Sequence, residues 1–248
     1  MKKAVIRVLI DPTSYSDVAN TVIEWASSGN SRCIFAANVH MLMEAYDSPD
    51  FAKIVNNADL VTPDGVPLVW MMRMKGARNQ QRVYGPTLML YVLEAAAREN
   101  IPVGFYGGKP HVLESLTRRM QARYPKLNVA FSFSPPFRKF IPNEDESIVE
   151  QINESGVRIL FLGLGCPKQE IWMAEHRGNF NAVMLGVGAA FDFHAGVLPQ
   201  APAFIQKLGL EWLFRFLSEP RRLWKRYLIH NPRFLVLAAA DLLGLLKV

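Results

Sequence analysis

The residues that could do chemistry in this chain stand where short apolar runs stop. Leu60-Val61-Thr62-Pro63 runs into Asp64-Gly65 ahead of a helical pattern. That sets a carboxylate at a strand end, within reach of a cleft, where a general base could stand. Capping the following helix is the commoner fate of such an aspartate, and the local sequence leaves both roles open. Asn38, just past Cys33–Ala37, faces the same choice between a ligand hydroxyl and a helix cap. Arg82, in Gln80-Gln81-Arg82-Val83-Tyr84-Gly85-Pro86, suits a phosphate clamp as well as a solvated loop.

Three glycine turns follow apolar runs in the same way: Gly107-Gly108-Lys109-Pro110, Gly163-Leu164-Gly165-Cys166-Pro167-Lys168-Gln169-Glu170, and Gly186-Val187-Gly188. Turns of this kind can bring backbone N–H groups and a helix N-terminus up to a phosphate. They also occur as purely structural punctuation. Lys168 and Gln169 open a helix and are better placed for a ligand than Cys166, which has no His–Asn or His–Asp partner spaced around it. Asp192 follows the third turn and could accept ribose hydroxyls, cap a helix or pair with an arginine. The five histidines show no ligand spacing, and His194 is the one that falls near another candidate.

Several site types are missing. Gly163 and Gly165 are followed by Lys168 where a dinucleotide fingerprint needs a third glycine, and there is no Walker lysine loop. No Asp-x-Asp pair is present to hold a divalent cation. Cys33 and Cys166 give neither a disulfide framework nor a metal spacing.

The elements that must position these residues alternate. Strands are predicted at Val5–Ile10, Cys33–Ala37, Leu60–Thr62, Val103–Tyr106, Val129–Phe133, Ile159–Leu162 and Ala182–Leu185. Helices are predicted at Ser16–Ser27, Val39–Tyr46, Val66–Met74, Thr87–Glu99, Pro110–Tyr124, Glu146–Glu154 and Lys168–His176. This is the pattern of an α/β fold with a mostly parallel, Rossmann-like sheet wrapped by helices. The proline-marked loop Ser134–Phe140 is expected to form one wall of a cleft. From Ala201 the strand signal stops and helices follow near Phe204–Lys207, Leu210–Leu217, Arg221–Ile229 and Phe234–Leu246. The expected division is an α/β domain over 1–200 and a helical, basic appendage over 201–248.

Charge separates the two parts. Residues 204–248 hold eight Lys/Arg against three acids, so most of the net charge of +6 lies there, and the remaining residues are nearly neutral. Trp212, Phe214, Phe216, Trp224 and Tyr227 interleave with these cations and fit a membrane-interface belt or base stacking. The apolar run from Phe234 to Leu246, interrupted by Asp241, favours lipid over nucleic acid and is too short to span a bilayer. Met1-Lys2-Lys3-Ala4-Val5-Ile6-Arg7 breaks too early for a signal peptide. These features read as a cytoplasmic protein with a tail that touches a membrane without crossing it.

Four ordered stretches together carry a resemblance. They are Thr62-Pro63-Asp64-Gly65, the Gly163–Glu170 turn, Gly186-Val187-Gly188 with Phe191-Asp192-Phe193-His194-Ala195-Gly196, and Glu211-Trp212 through Arg215 to Pro220-Arg221-Arg222. In this the chain resembles the bacterial WecG/TagA/CpsF glycosyltransferase family over nearly its whole length. The resemblance implies an inverting transferase with no metal or other cofactor. It would move a sugar from a UDP-sugar to an undecaprenyl-diphosphate-linked saccharide in cell-surface polysaccharide synthesis. It also implies Asp64 as general base with Asn38, Arg82 and Gln169 beside it. The nucleotide-sugar would be held by Gly107, Gly108, Gly163, Gly165, Lys168, Gly186, Gly188 and Asp192. Arg215, Arg221, Arg222, Lys225 and Arg226 would meet the lipid diphosphate and an anionic membrane. Ala36 stands where several members carry a hydroxyl residue, so the donor is expected to be N-acetylmannosamine-like or another hexose. A homo-oligomer is compatible with the sequence. The rival readings are a nucleotide-binding protein and a nucleic-acid-binding protein that uses the basic tail.

Overall fold

The computed structural model describes residues 1–136, 138 and 143–246. The chain opens with β1 (Lys3–Val5) and β2 (Val8–Ile10), then α1 (Tyr15–Ser27), β3 (Arg32–Ala37), α2 (Val39–Asp47), α3 (Pro49–Asn56), β4 (Leu60–Pro63) and α4 (Val66–Met74). Next come α5 (Gly85–Glu99), β5 (Val103–Gly107), α6 (Pro110–Arg123), β6 (Val129–Phe133), α7 (Glu144–Ser155), β7 (Ile159–Gly163), α8 (Lys168–Glu175), β8 (Val183–Gly186) and α9 (Ala190–Ala195). Four helices close the chain: α10 (Ala203–Lys207), α11 (Glu211–Ser218), α12 (Pro220–Leu228) and α13 (His230–Leu242).

Strands β3 to β8 form one parallel sheet in the order β4-β3-β8-β7-β5-β6. A parallel sheet is covered on both faces, which is why Ile159-Leu160-Phe161-Leu162 is continuously apolar and fully buried. Alternate residues feed two cores. Leu160, Leu162 and Met184 pack with α2, α3, α4 and α8 on one face. Ile159, Phe161 and Leu185 pack with α1, α5, α6 and α9 on the other. The helices that follow the neighbouring strands β3 and β8 therefore leave on opposite faces. This opens a crevice at the carboxyl edge, the usual ligand position in such sheets.

One predicted strand is corrected. Val5–Ile10 is an antiparallel hairpin, β1 with β2, outside the main sheet. The chain turns at Ile6 and Arg7, both with positive φ (44° and 67°), without the Asn or Gly that normally signals such a turn. The fully buried Ile6 is held there by its N–H, which donates to Asp241 Oδ2 of α13 at 3.0 Å. Helices α3 and α9 lay outside the sequence expectations because both are short. α3 carries its own start signal, with the Ser48 hydroxyl accepting from Phe51 N–H and Pro49 in the first turn. Phe137, Phe140 and Lys139 of the expected cleft-wall loop lie outside the described residues.

The C-terminal helices are fastened to the rest of the chain. Phe234 and Ala238 of α13 are buried in the first core. Asp241 also accepts from Lys75 Nζ at 2.6 Å. Yet the same helices expose Leu217 (71%), Leu235 (68%) and Val236 (70%). Among the described residues no helix is long and apolar enough to cross a membrane.

Candidate active site

Asp64 stands one residue past β4, at the sheet's edge. Its backbone N–H and that of Gly65 both donate to Ala37 O, at 2.9 and 3.0 Å, which fastens this turn to the end of β3. The approach is tight, because a Cβ at 65 would lie 3.2 Å from Asn38 Cα. The cap of α4 is Gly65, without a side-chain hydrogen bond, so Asp64 is not spent on its own helix. Its carboxylate instead accepts from Gly85 N–H at 3.3 Å and pairs with Arg82 at 3.4 Å. Arg82 Nε also donates to the Asp64 carbonyl. Burial raises the Asp64 pKa; Arg82 opposes this, and a second carboxylate, Glu211, adds to the rise.

Glu211 comes from α11 and was not singled out as a site residue from sequence. It is buried, lies 2.8 Å from Arg82 Nη1, and accepts from Tyr84 Oη at 2.7 Å. The Tyr84 ring stacks against the Arg82 guanidinium, 4.0 Å from its centroid. Arg82 is thus held between two carboxylates and an aromatic face. The one sequence signal for Glu211 was the Glu211-Trp212 stretch itself; nothing local marked its partner.

Asn38 is a helix cap with a second contact. Its Oδ1 caps α2 through Met41 N–H at 3.3 Å and also accepts from Arg226 of α12 at 3.4 Å. The basic cluster divides in two. Arg221, Arg222 and Lys225 are exposed, whereas Arg215 and Arg226 turn inward. Arg215 lies 5.5 Å over the Phe193 ring. Burial and the neighbouring Arg215 charge lower the Arg226 pKa. The buried Nε atoms of both arginines lack a hydrogen-bond partner. Unmatched donors on two inward cations are what an anion would satisfy.

The glycine turns meet the same edge, but several of their N–H groups are already used. Gly108 N–H donates to Gly163 O, Gly188 N–H to Leu162 O, and Gly165 N–H to Gln169 Oε1. Gly107 and Gly163 press together so closely that a Cβ on Gly107 would sit 2.7 Å from the Gly163 carbonyl carbon. Gly186 lies against the Gln169 amide, with Nε2 2.9 Å from where a Cβ would be. These glycines let the turns converge, while Arg215 and Arg226 supply the unmatched donors. Gln169 is buried and donates to Glu170 Oε1 at 2.7 Å, whereas Lys168 beside it is exposed. Glu170, also missed, is fully buried, and burial lifts its pKa to about 7. Asp192 has its pKa raised by burial, against the pull of Arg222 and Arg215.

Burial raises the Cys166 pKa well above that of an ordinary thiol, which disfavours the thiolate. His194 serves structure, with Nε2 2.8 Å from Pro86 O. The fold does gather two histidines that sequence spacing kept apart. His40 Nδ1 lies 3.1 Å from His230 Nδ1 and 3.5 Å from Glu44 Oε1. These three residues form the one group of potential metal ligands among the described residues. A hydrogen bond between two neutral imidazoles accounts for the 3.1 Å contact, with burial pushing the His40 pKa down to about 3.

A buried carboxylate of raised pKa beside a clamped arginine, with Arg226 reaching Asn38 from the C-terminal helices, is what a group transfer that releases an anion would use. Comparison with known proteins agrees. The N-acetylglucosaminyldiphosphoundecaprenol N-acetyl-beta-D-mannosaminyltransferase of Bacillus spizizenii is 29% identical over 220 residues, spanning 88% of this chain and 83% of that relative. The Glycosyl transferase WecG/TagA/CpsF family matches from residue 3 to residue 247. By that match, which takes in the Asp64 edge, the glycine turns and the C-terminal helices together, this chain is a glycosyltransferase of the WecG/TagA/CpsF family.

Proposed function

We propose that the enzyme is an inverting, metal-independent transferase. It moves an N-acetylmannosamine-like or other hexose from a UDP-sugar to an undecaprenyl-diphosphate-linked saccharide for a cell-surface polysaccharide. The observation that carries this reading is the Asp64–Arg82 pair beside the inward Arg215 and Arg226. Asp64 takes the proton of the acceptor hydroxyl as that oxygen bonds to the donor's anomeric carbon. The bond from that carbon to UDP breaks, and its electron pair leaves with the diphosphate. Arg215 and Arg226 receive this developing charge, the task a metal performs in other nucleotide-sugar enzymes. The glycine turns after β5, β7 and β8 seat the nucleotide. Asn38 and Gln169 hold the crevice around the sugar, one capping α2 and the other bracing the turn at Gly186.

The lipid-linked substrate places the work at a membrane, and the C-terminal helices have the surface for it. Leu217 of α11, Trp224 of α12 (46% exposed) and Leu235 of α13 are exposed, as are Arg221, Arg222 and Lys225 of α12. Exposed apolar and cationic side chains of this kind suit the inner leaflet of the plasma membrane.

Asp64→Asn tests the base. The variant is expected to stay folded, with some loss of stability as Arg82 gives up a charged partner, to bind UDP, and to lose on the order of 100-fold or more in turnover, the scale of a lost general base. A folded Asp64→Asn protein with near-normal turnover sinks the assignment. Transfer that persists in excess EDTA is the expected result for metal independence.

A further inference from the structure

Along the carboxyl edge of the sheet the glycine turns, Asn38 and Asp64 come in that order, since β4 is the edge strand. Beyond Asp64 there is a second space. A cleft of about 330 Å³ lies between α4 and α10, lined among others by Tyr15, Trp70, Arg73, Arg82, Tyr84 and Gln206. Trp70 is 52% exposed although Val69 and Met71 beside it are buried. The turn at Gly209 closes in from the C-terminal helices, with its Cβ position 3.2 Å from Val66 Cγ1 and 3.8 Å from Trp70 Cη2. Tyr15 is stacked on Tyr91 at 5.0 Å, so the opposite wall is braced.

We propose that this cleft binds the sugar of the lipid-linked acceptor, its ring lying on the Trp70 indole and its hydroxyl reaching Asp64 past Arg82. The inference rests on the transferase reading above. Five observations support it. In an inverting displacement the nucleophile enters opposite the leaving group, and the base stands on the nucleophile's side. With UDP over the central strands, the acceptor side is the β4 edge, where the cleft lies. Arg82 joins the two, since it lines the cleft and pairs with Asp64 at 3.4 Å. The volume is at the low end of the range for small-ligand clefts, which suits one or two sugar rings and not a long polyprenyl chain. The chemistry also fits, because an aromatic face takes the C–H side of a pyranose while Arg73, Arg82 and Gln206 offer donors to its hydroxyls. Finally, α10 carries exposed Phe204 (64%) and, just past its end, Leu208 (62%), an apolar path for the lipid from the cleft toward a membrane.

The test uses the full-length chain with UDP-N-acetylmannosamine and UDP-glucose as donors. The acceptor is N-acetylglucosaminyl diphosphate on a short alkyl chain, soluble without vesicles. Trp70→Ala is expected to raise the acceptor KM about tenfold, equivalent to about 1.4 kcal/mol of lost binding. The donor KM should stay at the wild-type value, and Trp70→Phe should restore most of the loss. Calorimetry with the acceptor analogue alone should show the same tenfold weakening. A Trp70→Ala protein with wild-type acceptor KM, or one whose donor KM rises instead, overturns the proposal. So does a defect confined to vesicle-borne acceptor, which would make Trp70 a membrane contact. Wild-type protein that binds the acceptor through Trp70 yet transfers neither donor sugar counts against the transferase reading and not against the cleft.

Discussion

Glu170→Gln should make this protein more stable at high pH and leave it nearly unchanged at low pH. Glu170 is fully buried; Oε1 accepts from Gln169 Nε2 at 2.7 Å and Oε2 has no partner. Burial lifts its pKa from 4.5 to about 7, although the Gln169 amide, the Cys166 thiol and the Arg226 charge pull it back. Between those two values the folded protein keeps a proton that the unfolded chain has released. Stability therefore falls as pH rises through this window and levels off above it. With each unit worth about 1.36 kcal/mol, the ionisation costs on the order of 3 kcal/mol by pH 8. Glutamine keeps the shape and one oxygen acceptor but cannot ionise. Urea unfolding of both proteins at pH 4.5, 6, 7 and 8 should show their stabilities diverging by on the order of 3 kcal/mol across the series, or roughly 6–12 °C in melting temperature. A difference between the two proteins that does not change with pH would refute the reasoning, because burial of an ionisable group predicts divergence and a packing change does not.

Other outcomes follow from the clamp and from the exposed helices. Glu211→Gln keeps an acceptor for Tyr84 but strips Arg82 of a charged partner, so stability should fall by about 1–3 kcal/mol. Because Glu211 raises the Asp64 pKa, the acidic limb of kcat/KM should also move to lower pH; a limb that stays put or moves up contradicts the coupling. Leu217→Ser with Trp224→Ser should weaken sedimentation with anionic vesicles at least about tenfold, given the apolar area lost. The melting temperature should hold, because both side chains are already largely exposed, at 71% and 46%. Unchanged vesicle binding would move the membrane face elsewhere.

How much of the site was legible depended on the range of its contacts. Asp64 and Asn38 stood out as candidates because each directly follows a strand whose end the sequence marks, whereas Arg82 lies three residues ahead of α5 and Gln169 is the second residue of α8. The roles of the glycines were harder to read. Spacing suggested free N–H groups for a phosphate, but Gly108, Gly165 and Gly188 donate inside the protein. Gly107 is glycine because two strand ends touch, and Gly163 because the Phe191 ring lies where its Cβ would be. The basic tail read as one cluster, since helical phase alone cannot say which cations find a crevice. Docking of α11 and α12 turned Arg215 and Arg226 inward and left Arg221, Arg222 and Lys225 outside.

The sequence by itself determined the alternating elements, the parallel sheet, the carboxylate at the end of β4 and the concentration of cations and aromatics after residue 203. These are properties of local periodicity and composition, which no distant contact changes. Only the tertiary structure brought Glu211 to Arg82, 129 positions apart, set Arg226 on Asn38, and opened the cleft beside Trp70. Those arrangements arise where a C-terminal helix packs over strand ends formed much earlier in the chain. No residue carries that information within its own neighbourhood.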